Sequence, residues 1–406
     1  MQPKNDKKTF YIVVGCMYLK EDELHLQKNY IKKATSVSNN IFERKLYSGF
    51  QQSSLAGDFV FLSAPSVGWF PVNCKKMVMK GFSKKQDYLP AEYITTYIGS
   101  TFSKSRALKK MLKNVLKTLN LKNYKVCLVI NELHLPYLRC AEYIKKRTHD
   151  SITVQLVPDL PEFNNRSKNF IYNFLKKVNC NKISKLRKRY IDKYVLFSKS
   201  MANRLGISKQ DNWIVNYGIA PDKYQYLPTD SGKIKHVVFI GKIDKRNGVN
   251  LILEVANMFA SRNDVVFDFY GIGASDAVSN DFAFNCSNVI IHGFVNPSEI
   301  SSILCSADVL LSPRYPNAEY TKYSFPSKIF EYLRAYKPVV TFKLDCYPEE
   351  LDQLLIYPES VTGKALFDAI QKAFITQVDV NAIDSFLSKY TKEIVVERIV
   401  EFAERT

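Results

Sequence analysis

The chain has 406 residues, of which 46% are hydrophobic and 24% are charged. These globular values exclude general disorder, and the length exceeds that of one ordinary core and predicts two domains. The formal net charge of +19 is uneven, because residues 1–200 hold 37 basic against 14 acidic side chains and the remainder holds 21 against 25. Such a basic half is expected to meet a polyanion: an anionic membrane surface, a pyrophosphate-linked lipid or nucleic acid.

The N-terminus has the basic residues and the apolar run of a signal peptide, but no small-residue cleavage site follows. We therefore predict that Thr9–Val14 is a first buried β-strand. No apolar run approaches the roughly 18 residues of a spanning helix, so any membrane contact is expected to be peripheral. The eight cysteines show no C-x-x-C or zinc-type spacing, which favours buried, reduced thiols in a cytoplasmic protein.

Short apolar segments alternate with helical segments along the whole chain. Each is a continuous run of β-branched or aromatic residues, as in parallel strands that are buried on both faces. Strands interleaved with helices predict an α/β doubly wound fold. The predicted strands are Phe10–Val14, Phe59–Leu62, Lys125–Ile130, Thr153–Val157, Tyr194–Phe197, His236–Ile240, Val265–Tyr270, Val289–His292, Val309–Leu311 and Pro338–Thr341.

This pattern restarts after the polar, turn-rich segment Tyr217–Lys233. We predict an N-terminal domain at 1–225, a C-terminal domain at 226–380, and a terminal helical segment at 381–406 that crosses back to the N-terminal domain. Two nucleotide-binding-type sheets in tandem are expected to face a cleft. Functional residues should then follow the strands directly.

Two segments concentrate the basic charge of the N-terminal half. Ser103–Lys122 predicts an amphipathic helix with leucines on one face and lysines on the other, and Lys182–Lys193 adds six cations. A basic amphipathic segment favours binding to an anionic membrane surface. The alternative is a solvated charged face over an ordinary core helix.

The stretch Leu311–Val340 is the most informative part of the chain. A helix is predicted from Pro326 or Ser327, capped by Ser324 or Ser327, after a long loop that follows a strand. Its unpaired N–H groups suit a diphosphate, and Glu331, one turn inside, can accept bonds from both hydroxyls of a ribose. The alternative is an ordinary capped helix with a solvated acid.

Ser324–Leu333, with Lys337-Pro338-Val339, resembles the donor-site signature E-x-F-P-x-x-x-x-E-x-x-x-x-G-x-P-V of glycosyltransferase family 4, in a subgroup from bacterial polysaccharide clusters. The resemblance implies the GT-B fold, two Rossmann-like doubly wound domains that face a cleft. It implies that Glu331 binds the ribose. Backbone amides around the Phe325-Pro326 step, within Ser324–Ser327, would hold the sugar and phosphate.

The sequence departs from the signature at one position. The family's first Glu falls on Tyr323, and the nearest acid is Glu319. The contact with the donor sugar is therefore left to Glu319, to Lys322 or to the backbone alone.

Gly241–Val249 resembles the family's G-[RK]-L-x-x-x-K-G turn, whose basic residues hold the diphosphate. Gly241 would allow a close approach of the backbone, and Lys242 would neutralise phosphate charge. Asn247 stands in place of the second Lys, which Arg246 or Lys245 could replace. A surface basic turn is the alternative.

The N-terminal half carries two looser resemblances. Asn131-Glu132-Leu133-His134 resembles the family loop in which a His approaches the donor sugar, which makes His134 a candidate catalytic residue with Glu319 and Lys322. Asp159 matches an acid on the acceptor side that often follows a His in the family. Structural roles are the alternatives for both residues.

The resemblance implies a glycosyltransferase that moves a sugar from a nucleotide-sugar, UDP- or GDP-linked, to a lipid-linked glycan, with retention of configuration, in bacterial surface polysaccharide synthesis. No cofactor is expected, and the sequence lacks a D-x-D motif, so no metal is expected either. The enzyme should be cytoplasmic and peripheral at the inner face of the membrane, without a nucleic-acid partner. The alternatives are a nucleotide-sugar epimerase on the same scaffold, or an inactive relative that binds an anionic surface.

Overall fold

The computed structural model describes residues 7–32, 37–65, 73–76, 78–84, 93–98, 101–119, 121, 123–148, 150–163, 170–224, 234–273 and 286–405. The chain divides into two compact units. Unit 1 comprises Met1–Ile219 and Lys392–Thr406, and unit 2 comprises Ala220–Thr391. The sequence placed the limits of its domains at 225/226 and 380/381; residues 225–233 lie outside the described part of the chain.

Unit 1 is built on a sheet in the order β3-β4-β2-β1-β5-β6-β7-β8, in which every pair is parallel except β3 with β4. β1 lies in the middle, pairs with β2 and β5, and is almost fully buried because both faces of a parallel sheet are covered. The strands are β1 Lys8–Gly15, β2 Phe59–Ser63, β3 Val78–Lys84, β4 Tyr93–Ile98, β5 Tyr124–Asn131, β6 Ser151–Val157, β7 Lys193–Leu196 and β8 Trp213–Val215.

The helices of unit 1 cover this sheet. The chain moves one way from β1 to β2 and the other way from β4 to β5, so right-handed crossovers place α2 on one face and α3, α4 and α5 on the other. The C-terminal helix α12 packs against α2. The helices are α1 Lys20–Asn29, α2 Val37–Gln52, α3 Thr101–Thr118, α4 Leu135–Lys145, α5 Phe170–Tyr190, α6 Ser200–Leu205 and α12 Lys392–Glu404.

Unit 2 has a parallel sheet in the order β11-β10-β9-β12-β13. The order reverses between β9 and β12, and the carboxyl ends of strands at such a switch point form a crevice for ligands in doubly wound folds. The strands are β9 Lys235–Ile240, β10 Val265–Tyr270, β11 Val289–Gly293, β12 Val309–Leu311 and β13 Val339–Val340. The helices are α7 Val249–Met258, α8 Ile300–Ser306, α9 Lys328–Arg334, α10 Gly363–Ala373 and α11 Val380–Ser388.

The predicted α/β doubly wound class is confirmed, and each of the ten predicted strands coincides with an observed one. β3, β4 and β8 were missed. β3 and β4 carry Lys, Ser and Thr among their apolar residues, so neither is a continuous apolar run. β8 is apolar but has only three residues, too few to stand out along the sequence. The predicted helix Ser103–Lys122 is observed as α3, and Lys122 lies outside the described residues.

The cysteines are free thiols, and most are buried. Across the described residues, no helix combines the length and the apolar character that a bilayer span requires.

Candidate functional site

The loop after β9 lies at the switch point of unit 2. It leaves the strand at Gly241, whose φ of +155° is one that side chains disfavour, and forms a turn of 3₁₀ helix at Lys245–Asn247. Asp244 caps this turn by accepting from the backbone N–H of Asn247 at 3.1 Å, and it pairs with the amine of Lys242 at 3.2 Å. These contacts hold the turn in shape, while the Lys242 side chain stays 67% exposed.

The helix α9 is joined to the end of β9 by two side chains. The Lys328 amine donates to the carbonyl of Ile240 at 2.5 Å, and the Tyr332 hydroxyl accepts from the Ile240 N–H at 3.0 Å. A Cβ at Gly241 would fall 1.8 Å from the Lys328 amine, so this glycine makes room for a cation. Burial, with Arg314 nearby, lowers the pKa of Lys328 to about 8.

The loop after β12 contacts the loop after β9 at several points. A Cβ at Gly248 would meet the carbonyl oxygen of Pro313 at 2.0 Å, and the φ of Gly248 is +77°. The Arg314 guanidinium donates to the side chain of Asn247 at 3.4 Å. The two segments that the sequence assigned to the donor therefore lie against each other.

Arg246 is held at the same junction. Its guanidinium lies 4.9 Å from the ring centroid of Tyr320, whose hydroxyl donates to the Arg246 carbonyl at 3.0 Å. This cation–π contact fixes a positive charge beside the 3₁₀ turn Glu319–Lys322. Glu319 is exposed on that turn, and Lys322 pairs with Asp345 at 3.7 Å.

Tyr323 ends the 3₁₀ turn and is half-buried, and the carbonyl of Ser324 accepts a weak bond from the Cys346 thiol at 3.7 Å. Phe325 is buried with its ring centroid 5.3 Å from that of Phe330 and 5.7 Å from that of Tyr347. The Phe-Pro step therefore anchors the loop in the core of unit 2.

The predicted cap by Ser327 is wrong. Ser327 precedes α9 with helical backbone angles (φ −53°, ψ −23°), and its side chain makes no capping hydrogen bond. An N-cap residue usually adopts an extended backbone, from which its oxygen can reach the first N–H groups. The positive charge at this end of α9 comes from the Lys328 amine, and Pro326 is buried in the turn before it.

Glu331 lies in the first turn of α9 and is half-buried. Its carboxylate is close enough to Tyr224 to help burial raise the pKa of that phenol, and it partly offsets the burial that lowers the pKa of Lys328. Glu331 thus lies close to the half-buried amine of Lys328 and to the phenol of Tyr224.

A second polar cluster lies at the switch point of unit 1, between the ends of β1 and β5. The Glu43 carboxylate, which is fully buried, accepts from the backbone N–H of Cys16 and from the side-chain amide of Asn131, both at 2.6 Å. Burial raises the pKa of Glu43, and these bonds oppose the rise. The side-chain oxygen of Asn131 has no hydrogen-bond partner among the described residues.

Glu132 and His134 follow directly. Glu132 has a φ of +60° and accepts from the side chain of Asn39, and burial next to Glu43 raises its pKa to about 7. Burial lowers the pKa of His134 to about 3, assisted by the ammonium of Lys104, so its imidazole is neutral at neutral pH. The exposed Asp159 is also near enough to raise the pKa of Glu132.

Comparisons with known proteins agree with this architecture. Residues 234–374 match the family described as Glycosyl transferases group 1. An Escherichia coli trehalose-6-phosphate synthase structure with UDP-2-fluoro glucose has a TM-score of 0.60 at 9% identity, with 98% of this chain and 99% of that chain covered. The lipopolysaccharide outer core galactosyltransferase WaaB has a TM-score of 0.56 at 11% identity, with 97% and 99% covered.

A third structure, from work on glycosyltransfer with retention by trehalose-6-phosphate synthase, has a TM-score of 0.61 at 9% identity, with 97% of this chain and 99% of that chain covered. No curated protein sequence matches the chain. At such low identities the structures establish the fold, and the family match covers most of unit 2. The chain is a glycosyltransferase with the GT-B fold.

In this glycosyltransferase the predicted donor residues of unit 2 share one junction between the loops after β9 and β12. The predicted catalytic residues are divided between the units, since His134 belongs to unit 1 and Glu319 and Lys322 belong to unit 2.

The sequence interpretation did not select Lys328, Arg314, Glu43 or Glu132. Lys328 falls on an unspecified position of the signature, so the signature gave no reason to select it. No sequence motif pointed to Glu43, because the sequence does not indicate that a residue of α2 reaches the ends of β1 and β5.

Proposed function

We propose that this glycosyltransferase moves a sugar from a UDP- or GDP-linked donor to a lipid-linked glycan at an anionic membrane surface. The transfer would retain the anomeric configuration, need no metal ion, and serve bacterial surface polysaccharide synthesis. The observation that carries the donor assignment is the junction in unit 2, where Gly241, Lys328 and Glu331 lie together at the switch point of the sheet.

The departing diphosphate needs positive charge as its bond to the sugar breaks. The exposed Lys242 and the guanidinium of Arg246 lie on the loop after β9, and the Lys328 amine projects from the first residue of α9 to the same junction. Fixed charges that are aimed at a developing anion stabilise a transition state without reorganisation. These cations can take the part that a divalent metal plays in other transferases.

The nucleoside is assigned to Glu331. A half-buried carboxylate in the first turn of α9 can accept a hydrogen bond from each hydroxyl of a ribose. The amine of Lys328 lies near enough for Glu331 to influence its pKa.

The acceptor is assigned to unit 1, which also carries His134, the catalytic candidate for approach to the donor sugar. His134 is neutral at neutral pH, so it can exchange hydrogen bonds with sugar hydroxyls without adding charge. Glu132 and Asp159 lie at the same edge of the sheet. The basic face of α3, where Lys109, Lys113 and their neighbours are exposed, would meet anionic headgroups.

Names of structures with the same fold agree with the finer points of the proposal. The E. coli synthase was studied with UDP-2-fluoro glucose, and a synthase structure comes from a study of transfer with retention. WaaB acts on lipopolysaccharide outer core. The lipid-linked acceptor and the membrane surface rest on the charge of unit 1 alone.

Thermal shift with UDP, GDP and their sugar conjugates tests the donor assignment, since a ligand that binds the folded state stabilises it. Glu331→Ala should weaken UDP or GDP binding by about 1.5–3 kcal/mol, the scale of a charged hydrogen bond, or roughly 10- to 150-fold. The matched control is Glu359→Ala, an exposed acid of the same unit, which should leave affinity unchanged. Equal affinities in the two folded variants would refute the role of Glu331.

A further inference from the structure

A groove of about 910 Å³ is formed by residues of α3, α4 and α5 in unit 1. Its volume falls within the range of pockets that bind small ligands. Most of the surface exposed inside it is apolar. Its cationic lining residues are Arg106, Lys109, Arg139, Lys146, Arg147 and Lys182.

The groove is strongly basic. Six of its lining side chains are cations and one is a carboxylate, which gives a formal charge of +5. The carboxylate, Glu142, is already engaged, because it pairs with Arg139 at 2.5 Å and with Lys146 at 2.8 Å. Arg106 and Lys109 make no ion pair with any residue that the structure describes, so their charge is available to an anion.

An aromatic ring holds two of the cations in place. The Lys109 amine lies 5.3 Å from the ring centroid of Tyr143, and the Arg147 guanidinium lies 4.8 Å from it. Cations stacked on one buried ring are positioned before any ligand arrives. At one end of the groove Phe102 is 77% exposed, which is unusual for a side chain of this size.

The groove also lies next to the polar cluster of unit 1. α3 and α4 each lead into a parallel strand, so both begin at the carboxyl edge of the sheet, and Phe102 and Leu135 mark those beginnings. Lys104, in the same first turn of α3, influences the pKa values of Glu132 and His134. A molecule in the groove would therefore have one end near the assigned acceptor residues.

We propose that this groove binds a single anionic phospholipid of the membrane, with its phosphate among Arg106, Lys109 and Arg147 and an acyl chain along Phe102 and Leu135. An apolar channel with a basic rim matches an amphiphile that carries both a chain and a phosphate. A free phosphate would gain nothing from the apolar lining. The inference deepens the proposed membrane contact and rests on it.

The first test is binding of the full chain to vesicles of phosphatidylcholine with and without phosphatidylglycerol. Loss of a cation near an anionic surface weakens binding about fivefold, so Arg106→Ala with Lys109→Ala should weaken binding to the anionic vesicles roughly 25-fold. The control is Lys185→Ala with Lys188→Ala, which removes the same charge from exposed positions outside the groove. Equal losses in the two double variants would show a diffuse surface and overturn the groove.

The second test follows the acyl chain. Phe102→Trp should be quenched by phosphatidylglycerol brominated on its chains, beyond the quenching of the native tryptophans in the parent protein. Soluble dihexanoyl phosphatidylglycerol should occupy the groove and reduce binding to the anionic vesicles in a saturable way, whereas glycerol phosphate should not. Equal effects of the two compounds, no extra quenching, or tighter binding to an oligonucleotide than to anionic vesicles would each contradict the proposal.

UDP binding separates the two proposals. The groove variants should bind UDP as the parent does, and Glu331→Ala should bind anionic vesicles as the parent does. If the parent binds anionic vesicles but does not bind UDP, the donor assignment alone is refuted. Vesicle binding that is insensitive to the groove variants, with UDP binding intact, would remove the groove only.

Discussion

Lys328 is a charged side chain at a place where its charge costs stability. Burial and Arg314 lower its pKa from 10.5 to about 8, so the folded state disfavours the ammonium form. The informative substitution is Lys328→Met, which keeps the length of the side chain and removes the charge. It also removes the hydrogen bond to the Ile240 carbonyl, which the Tyr332 hydroxyl can still approach at 3.4 Å.

The magnitude follows from linkage. A pKa that is lower in the folded state, about 8 against 10.5 unfolded, corresponds to a penalty of about 3 kcal/mol, which applies in full at pH 7 where both states are protonated. The lost charged hydrogen bond costs about 1.5–3 kcal/mol. We therefore expect Lys328→Met to leave unit 2 equally stable or up to about 2 kcal/mol more stable at pH 7. Binding of a nucleoside diphosphate, UDP or GDP, should weaken by about 10-fold or more.

The pH dependence of the stability difference between the parent and Lys328→Met is the sharper test, because the hydrogen-bond contribution largely cancels when two pH values are compared. As the pH rises from 7 to 10, Lys328 loses its proton in the folded parent before it does so in the unfolded chain. The free energy of unfolding of the parent therefore rises by about 2 kcal/mol relative to the Met variant. Unfolding in urea should be followed by far-UV circular dichroism. Both tryptophans, Trp69 and Trp213, fall within the sequence of unit 1, so their fluorescence is an internal control that the substitution should not move.

Parallel stability curves for the two proteins between pH 7 and 10 would refute the reasoning. So would a loss of more than about 3 kcal/mol at pH 7, since that would make Lys328 a structural residue. A stabilised variant with weakened UDP binding would show that the charge is retained for function at the expense of stability.

Three further outcomes are expected. As the pH rises from 4.5 to 7, the free energy of unfolding of Glu132→Gln should increase by about 2–3 kcal/mol relative to the parent, because the raised pKa of about 7 makes the parent lose stability across that range. Tryptophan fluorescence in urea at pH 4.5 and 8 measures this difference, and a difference that does not change with pH would contradict the burial of this acid. Gly248→Ala should destabilise unit 2 by roughly 2 kcal/mol or more, since its Cβ would meet the Pro313 carbonyl at 2.0 Å, and calorimetry would show a lower transition temperature; an unchanged one would refute the contact. Asp384→Ala should cost about 3 kcal/mol, because it leaves the buried guanidinium of Arg334 without the carboxylate at 2.9 Å; urea unfolding by circular dichroism checks it, and a loss below about 1 kcal/mol would show that the pair matters little.

The loop residues of the donor junction illustrate how far a local pattern reaches. Gly241 and Lys242 were selected from one motif and Glu331 from another, and each motif is local, because its turn and the helix that follows lie within a few residues of each other. The structure places all three at the junction. Their binding roles stay predictions that the nucleotide experiments decide.

The errors of the sequence interpretation have physical causes. Ser324 or Ser327 was expected to cap α9 because serine usually does so before a helix. Ser327 holds the N-cap position, but its backbone is helical and its side chain makes no capping bond, while the buried Phe325 anchors the preceding loop. β3 and β4 were missed because their polar residues interrupt the apolar run on which the strand prediction depends.

Hydrophobic runs along the chain determined the fold class and most strands, because burial on both faces of a parallel sheet demands continuous apolar segments. The charge of unit 1 and the donor signature were also legible in the sequence. Only the tertiary structure decided that Lys328 closes onto the end of β9, that Glu43 and Glu132 share a buried edge, and that α3 and α4 enclose a basic groove. Those features depend on residues that are far apart in the chain, and the crossovers of the sheet alone bring them together.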